Sequence, residues 1–144
     1  MASPIQSHQG ILDGNLKQEE EESFPYAMQL VISCALPMAL QSTIELGVFD
    51  ILAKAGPGAK LSPSQIVAQM PTKNPEATVM LDRILRMLAS HSVLGCSVVS
   101  DEFGSYQRLY SLSPVSKHFV RNKNGVSLGH LLALSQERLL LSYA

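Results

Sequence analysis

The stretch PYAMQLVISCALPMALQSTIEL, Pro25 to Leu46, limits what this chain can become more than any other part of it. Only Gln29, Ser33 and Gln41 interrupt a run that, in its first half, is apolar on nearly every side of a helix. A surface helix keeps a polar face, whereas a helix without one lies in the middle of a large core or against another chain. The chain has 144 residues, one domain's worth of sequence, so burial against a second chain is the more economical reading. Pro37 removes an internal hydrogen bond, which predicts a kink or a split there. The Ala27 to Leu40 run is shorter than the ~20 residues that span a bilayer. The opening residues, MASPIQSHQG, carry neither a basic start nor an apolar leader. A cytoplasmic protein without a membrane partner is expected.

Beyond Leu46 a capping residue followed by proline occurs three times and sets out the rest of the chain. After Gly47, which permits a bend, Val48 to Ala55 reads as a short helix, and Gly56-Pro57-Gly58 as a turn. Ser62-Pro63-Ser64-Gln65 is a capping box that opens a helix through Met70, stopped by Pro71. Asn74-Pro75 then predicts a helix from Pro75 towards Leu94. Its core face is Ala77, Met80, Leu81, Ile84, Leu85 and Leu88, and its wet face holds Asp82, Arg83, Arg86 and Ser90, with Asp82 and Arg86 as an exposed pair. Two strands follow, Gly95 to Ser100 and Tyr106 to Leu112, joined by a polar tip. Ser113-Pro114 opens a short helix, Val115 to Val120, and Ser127 caps a last one. The predicted fold is mainly α: a winged-helix-like helical domain with a small β-hairpin wing.

Residues 1–22 are polar and end in Glu19 to Glu22, which predicts a disordered tail with solvated charges. The last helix carries Leu128, Leu131, Leu132, Leu134, Leu139, Leu140 and Leu141 and reaches Ala144 without a stop signal. Such dense leucines predict a contact with a partner chain or a further domain. The net charge of −1 invites neither nucleic acid nor an anionic membrane. The long helix offers a DNA groove only Arg83 and Arg86, beside the acids Asp82 and Glu76. Cys34 and Cys96 match no zinc or redox spacing and are expected reduced and buried. His8, His91, His118 and His130 lack partners at a ligand or catalytic spacing; His91 is expected half-buried at a helix end, and His118 in a basic patch with Lys117, Arg121 and Lys123. No glycine-rich loop, metal cluster or nucleophile elbow is legible. The residues by themselves describe a partner-seeking module without catalytic equipment.

Several stretches together resemble the plant phenylpropanoid O-methyltransferases, caffeic acid 3-O-methyltransferase among them. They are Ala27-Met28-Gln29-Leu30, Leu36-Pro37-Met38, Ala53 to Ala59, Leu61-Ser62-Pro63, Asn74-Pro75, Val79 to Arg83, Gln107 to Tyr110 and Gly125-Val126-Ser127. After the tail predicted over 1–22, the resemblance implies a winged-helix-like dimerisation domain over 23–127, and over 128–144 the start of a linking helix, truncated before a catalytic domain that binds S-adenosylmethionine. It implies a dimer interface at Met28, Leu30, Val31, Ile32 and Leu36, and a phenol pocket touched by Ile32, Leu134, Ser135 and Leu140. Ile32 is bulkier than the small polar residue the family has there, and Ser135 replaces an asparagine. No cofactor is expected to bind this chain; S-adenosylmethionine belongs to the full-length family, whose members methylate lignin-type phenols. The expected partner is a twin or a full-length relative. The expected function is a dimerisation module inactive alone, the alternatives being a free-standing protein that modulates such relatives and a winged-helix nucleic-acid binder.

Overall fold

The computed structural model describes residues 4–142, with side-chain surroundings over residues 10–137. The chain divides into two compact units, Met1–Ala35 and Leu36–Ala144. Helix α1 (Pro4–Glu45) supplies the described part of the first unit, and its last turns belong to the second. Side chains from Gly10 to Cys34 are exposed throughout.

Two expectations change along α1. Residues 1–22, whose composition predicts disorder, are helical from Pro4 onward. Leu16, Lys17, Gln18 and the glutamates that follow are straight-chain residues that lose little rotamer freedom in a helix, and Gln18 donates to Glu22 across one turn at 3.0 Å. Pro37 does not divide the helix, because one missing rung in a ladder of 42 residues is not enough to end it. The apolar first half, expected to lie against a second chain, is exposed on the single chain. Extended in this way, the Gly10–Glu45 part of α1 has the length and composition to cross a membrane, which the shorter Ala27 to Leu40 run does not.

The second unit is built on a core of Phe49, Leu52, Ile66, Leu85, Leu88 and Tyr110, against which Leu36, Ala39, Leu40 and Ile44 of α1 pack. Gly47, at φ 75°, takes the left-handed conformation that ends α1 and starts α2 (Val48–Lys54). The predicted capping box is present at α3 (Pro63–Val67): Ser62 Oγ accepts from the Gln65 amide at 3.3 Å, and Gln65 Oε1 accepts from the Ser62 amide at 2.9 Å. This helix ends before Met70, because the Gln69 and Met70 amides reach back only three residues, to Ile66 and Val67, and tighten the last turn.

Helix α4 (Ala77–Ser90) starts two residues later than Asn74-Pro75 predicts. Asn74 Oδ1 accepts from the Glu76 amide at 2.9 Å, closing a side-chain turn that holds Pro75 and Glu76 outside the helix. Leu81, Leu85 and Leu88 are its buried residues, while Met80 on the expected core face is half exposed.

The hairpin matches its prediction to within one residue. Strands β1 (Leu94–Ser100) and β2 (Tyr106–Leu112) pair antiparallel from Leu94–Leu112 to Ser100–Tyr106. At the tip Asp101 Oδ1 accepts from the Phe103 and Ser105 amides at 2.9 and 2.8 Å, and Gly104 turns at φ 80°. Leu61 exchanges backbone bonds with Tyr110 at 2.9 and 2.8 Å, which fastens the segment before α3 to the edge of β2.

Beyond the hairpin, Ser113 and the buried Ser116 cap each other's amides, and the helix expected there is a short 3-10 turn, Ser116–Phe119. Helix α5 (Gly129–Ser142) closes the described chain, with Ser127 Oγ accepting from the Gly129 amide at 3.1 Å as its predicted cap. The fold is mainly helical with one two-stranded sheet.

Candidate functional site

An uncovered apolar surface lies on α1. Met28, Leu30, Val31 and Ile32 are exposed by 41, 54, 64 and 49%. Helical spacing puts Met28, Val31 and Ile32 on one side and Leu30 on the other, so the surface wraps the helix instead of forming a stripe. Two of its polar groups, Ser33 and Cys34, are satisfied from within. Ser33 Oγ donates to the Leu30 carbonyl at 2.6 Å, and Cys34 Sγ to the Val31 carbonyl at 2.9 Å. Removing water from such a surface strands few polar groups, which is what a dry contact requires. Leu36, expected with these residues, lies instead in the second unit and packs on its core.

Leu134 and Ser135, both exposed, sit side by side on α5, where Leu131 is also uncovered. Ser135 Oγ donates to the Leu131 carbonyl at 2.9 Å, again turning a hydroxyl back onto its own helix. Leu140 belongs to α5 but lies beyond the residues whose side chains are described. Ile32 is in the first unit and the α5 positions are in the second.

Two polar clusters of the second unit escape the sequence reading. Asp82 keeps the predicted ion pair with Arg86, whose Nε lies 3.7 Å from its carboxylate, but it is half-buried rather than wet. It accepts two-pronged hydrogen bonds from Arg108, with Nη2 at 2.7 Å and Nε at 3.1 and 3.2 Å, and a third from the hydroxyl of fully buried Tyr110 at 2.7 Å. The Arg108 guanidinium holds the Asp82 carboxyl below the usual carboxylate range, and burial together with that carboxylate pushes the Tyr110 phenol up. The signal lies in β2, where Tyr106, Arg108 and Tyr110 alternate onto one face. The second cluster is Asp50 with Arg121, whose amide and Nε donate to the carboxylate at 3.0 and 2.9 Å. They edge a cavity of about 300 Å³ between the end of α1 and α5, with Gln41, Glu45 and His130 also on its wall. Arg121 is thereby withdrawn from the predicted basic patch, while Lys117, His118 and Lys123 are exposed.

The cysteines correct another expectation. Cys34 lies on the uncovered part of α1 and Cys96 on the hairpin, and both are exposed, because neither element is covered there. His91 occupies the C-terminal cap of α4 as predicted but is exposed. Among the described residues no group of His, Cys, Asp and Glu is arranged to hold a metal ion.

Residues 28–122 match the model of the O-methyltransferase dimerisation domain. Caffeic acid 3-O-methyltransferase of Capsicum annuum is 53% identical over 127 residues, which is 88% of this chain and 35% of that protein. Esculetin O-methyltransferase of Kitagawia praeruptora is 49% identical over 124 residues, 86% of this chain and 34% of that protein. The chain therefore spans about a third of the length of the curated relatives it matches. Among solved structures, human N-acetylserotonin methyltransferase in complex with SAM shares the fold at a TM-score of 0.54 and 21% identity, over 74% of this chain and 29% of that one.

Proposed function

The chain belongs to the O-methyltransferase dimerisation-domain family, and we propose that it is a pairing module whose α1 is covered by a second chain. The observation that carries this reading is the exposure of Met28, Leu30, Val31 and Ile32 in a stretch of helix where Ser33 and Cys34 bond to the helix's own backbone. Covering such residues contributes ~1.5–3 kcal/mol for each side chain fully removed from water. Part of that gain offsets the lost freedom of association, roughly 4–15 kcal/mol, so the contact has to extend beyond these four residues. We take the succession of α3, α4 and the hairpin as a winged helix, and Leu36 as the point where the interface meets the core.

In a protein of the relatives' full length, our reading gives Ile32, Leu134, Ser135 and Leu140 to the wall of a phenol pocket beside an S-adenosylmethionine site. The 144 residues by themselves carry out pairing and not chemistry. Methyl transfer needs the phenol oxygen aligned with the sulfonium methyl and a base to take its proton, and no side-chain cluster described above is placed for that. Incubation with labelled S-adenosylmethionine and caffeic acid is expected to transfer no label; turnover would overturn this part. Light scattering across a dilution series from tens of micromolar downward tests pairing itself. A stable dimer is the expected result, and a monomer throughout would count against it.

A second reading is favoured by the near-50% identity to several relatives over most of the chain: the module also pairs with a full-length relative and tunes its activity. Co-purification of the two from a mixed preparation is its test. Nucleic acid is not assigned as a partner, since Arg108 and Arg121 are both held by carboxylates, and a salt-sensitive gel shift would contradict that. The chain is assigned to the cytosol, with α1 as a protein contact: Gln29, Ser33 and Pro37 interrupt its apolar run, and four glutamates precede it. Recovery in a carbonate-resistant membrane fraction would reverse that assignment.

A further inference from the structure

The second unit has an apolar hollow of about 200 Å³, walled chiefly by Leu46, Met70, Ala77, Met80, Leu81 and Ile84. Small-molecule sites start at roughly 300 Å³, so a hollow of this size suits a single side chain. Its mouth is open: Leu46 and Met80 are 43 and 51% exposed. Lys73, between the lining residues Thr72 and Asn74, and Arg83, next to the lining residue Ile84 on α4, are both exposed. Neither makes a salt bridge among the described residues. Glu76, before the lining residue Ala77, is exposed as well, so over the lining stretch from Thr72 to Ile84 the cations without a salt bridge outnumber this acid by two to one.

A complementary feature stands in the first unit. Phe24 is 62% exposed on α1, and Glu20 and Glu21, four and three residues before it, flank it on the helix surface. A phenyl ring brings no polar group that an apolar hollow would leave unpaired. Phe24 also lies one turn before Met28, so it continues the surface assigned above to pairing.

Resting on that pairing reading, we propose that the hollow receives Phe24 of a second copy of this chain, with the acidic residues before that phenylalanine set against Lys73 and Arg83. The seat is reciprocal, as a two-fold pair requires, so each copy gives one ring and one acidic run.

Charge exchange in the full chain tests it. One variant carries Lys73→Glu with Arg83→Glu, the other Glu20→Lys with Glu21→Lys, all at exposed positions. Each alone sets like charges together at both seats, and its dimer dissociation constant is expected to rise at least about tenfold. An equimolar mixture of the two restores opposite charges at both seats, and its mixed dimer is expected to return to within roughly threefold of the wild-type constant. Recovery in the mixture also shows that both variants fold. Reversed variants that pair as tightly as the wild type, or a mixture that fails to recover, would overturn the seat and leave the pairing reading standing. A wild-type chain that is monomeric at tens of micromolar would overturn both.

Discussion

Asp82 shows how far single residues are legible. The helical period sends it to the outside of α4 beside Arg86, and that is where a sequence reading leaves it. The structure turns it into the acceptor that ties α4 to the hairpin, because Arg108 and Tyr110 arrive from β2, a strand whose distance in sequence hides the contact. Tyr110→Phe removes one charge-assisted bond and should cost about 1.5–3 kcal/mol in urea unfolding at neutral pH. Asp82→Ala, which strands the buried phenol without an acceptor, should cost no less. The pH dependence has a definite sign. Asp82 is held below its ordinary range, first by the Arg108 hydrogen bond, so the folded chain releases this proton more readily than the unfolded one. Its contribution is fully present above the unfolded carboxyl range near ~4 and fades as pH falls through the depressed folded value. Wild type and Asp82→Asn should therefore differ most near neutrality and converge as the pH is lowered below ~4, followed by the urea midpoint at each pH. Tyr110 has the opposite sign: its raised pKa favours the neutral phenol, and its contribution is lost as pH rises above ~10.

At the scale of elements, the sequence speaks where local chemistry decides the outcome and is silent where packing does. The capping box at Ser62 and the two strands are local, and they appear where predicted. Asn74 reads as a helix cap but closes a turn instead, and both uses draw on the same side-chain oxygen and differ only in which amide it meets. The helical course of residues 4–22 is hidden because composition reports the lack of a core to pack on, and a charged segment continuing an apolar helix needs no core to extend it. Ser62→Ala should lower stability by ~1 kcal/mol in thermal unfolding through loss of the cap. The approach of α5 to the end of α1 is set by Gly129, where an added Cβ would lie 2.8 Å from Ile44 Cγ2. Gly129→Ala should cost about 1–3 kcal/mol by overpacking. Pairing it with Ile44→Ala, which removes the opposing methyl, should give a total loss smaller than the sum of the two single losses, as contacting residues do.

For the molecule as a whole, the all-round apolarity of α1 points to a partner, and the fold leaves that surface of the helix bare. What apolarity does not reveal is which part of α1 stays available. Leu36, Leu40 and Ile44 have the same apolar character as Met28 and Ile32, yet the core of the second unit claims them, and only the fold distinguishes the two groups. This division makes pairing and folding separable. Val31→Asp combined with Ile32→Asp would place two charges on an exposed surface of the first unit that gains its affinity by leaving water. Losing two side chains' worth of burial at ~1.5 kcal/mol or more each should weaken the dimer at least roughly a hundredfold. The urea transition of the second unit, followed at a concentration where the wild type is already dissociated, should move by less than ~0.5 kcal/mol, the usual range for exposed positions. Light scattering and unfolding measured on the same samples decide it. If dissociation and loss of the second unit's transition came together, α1 would be needed for folding itself, and its uncovered apolar residues would have to be counted as core completed only in the dimer.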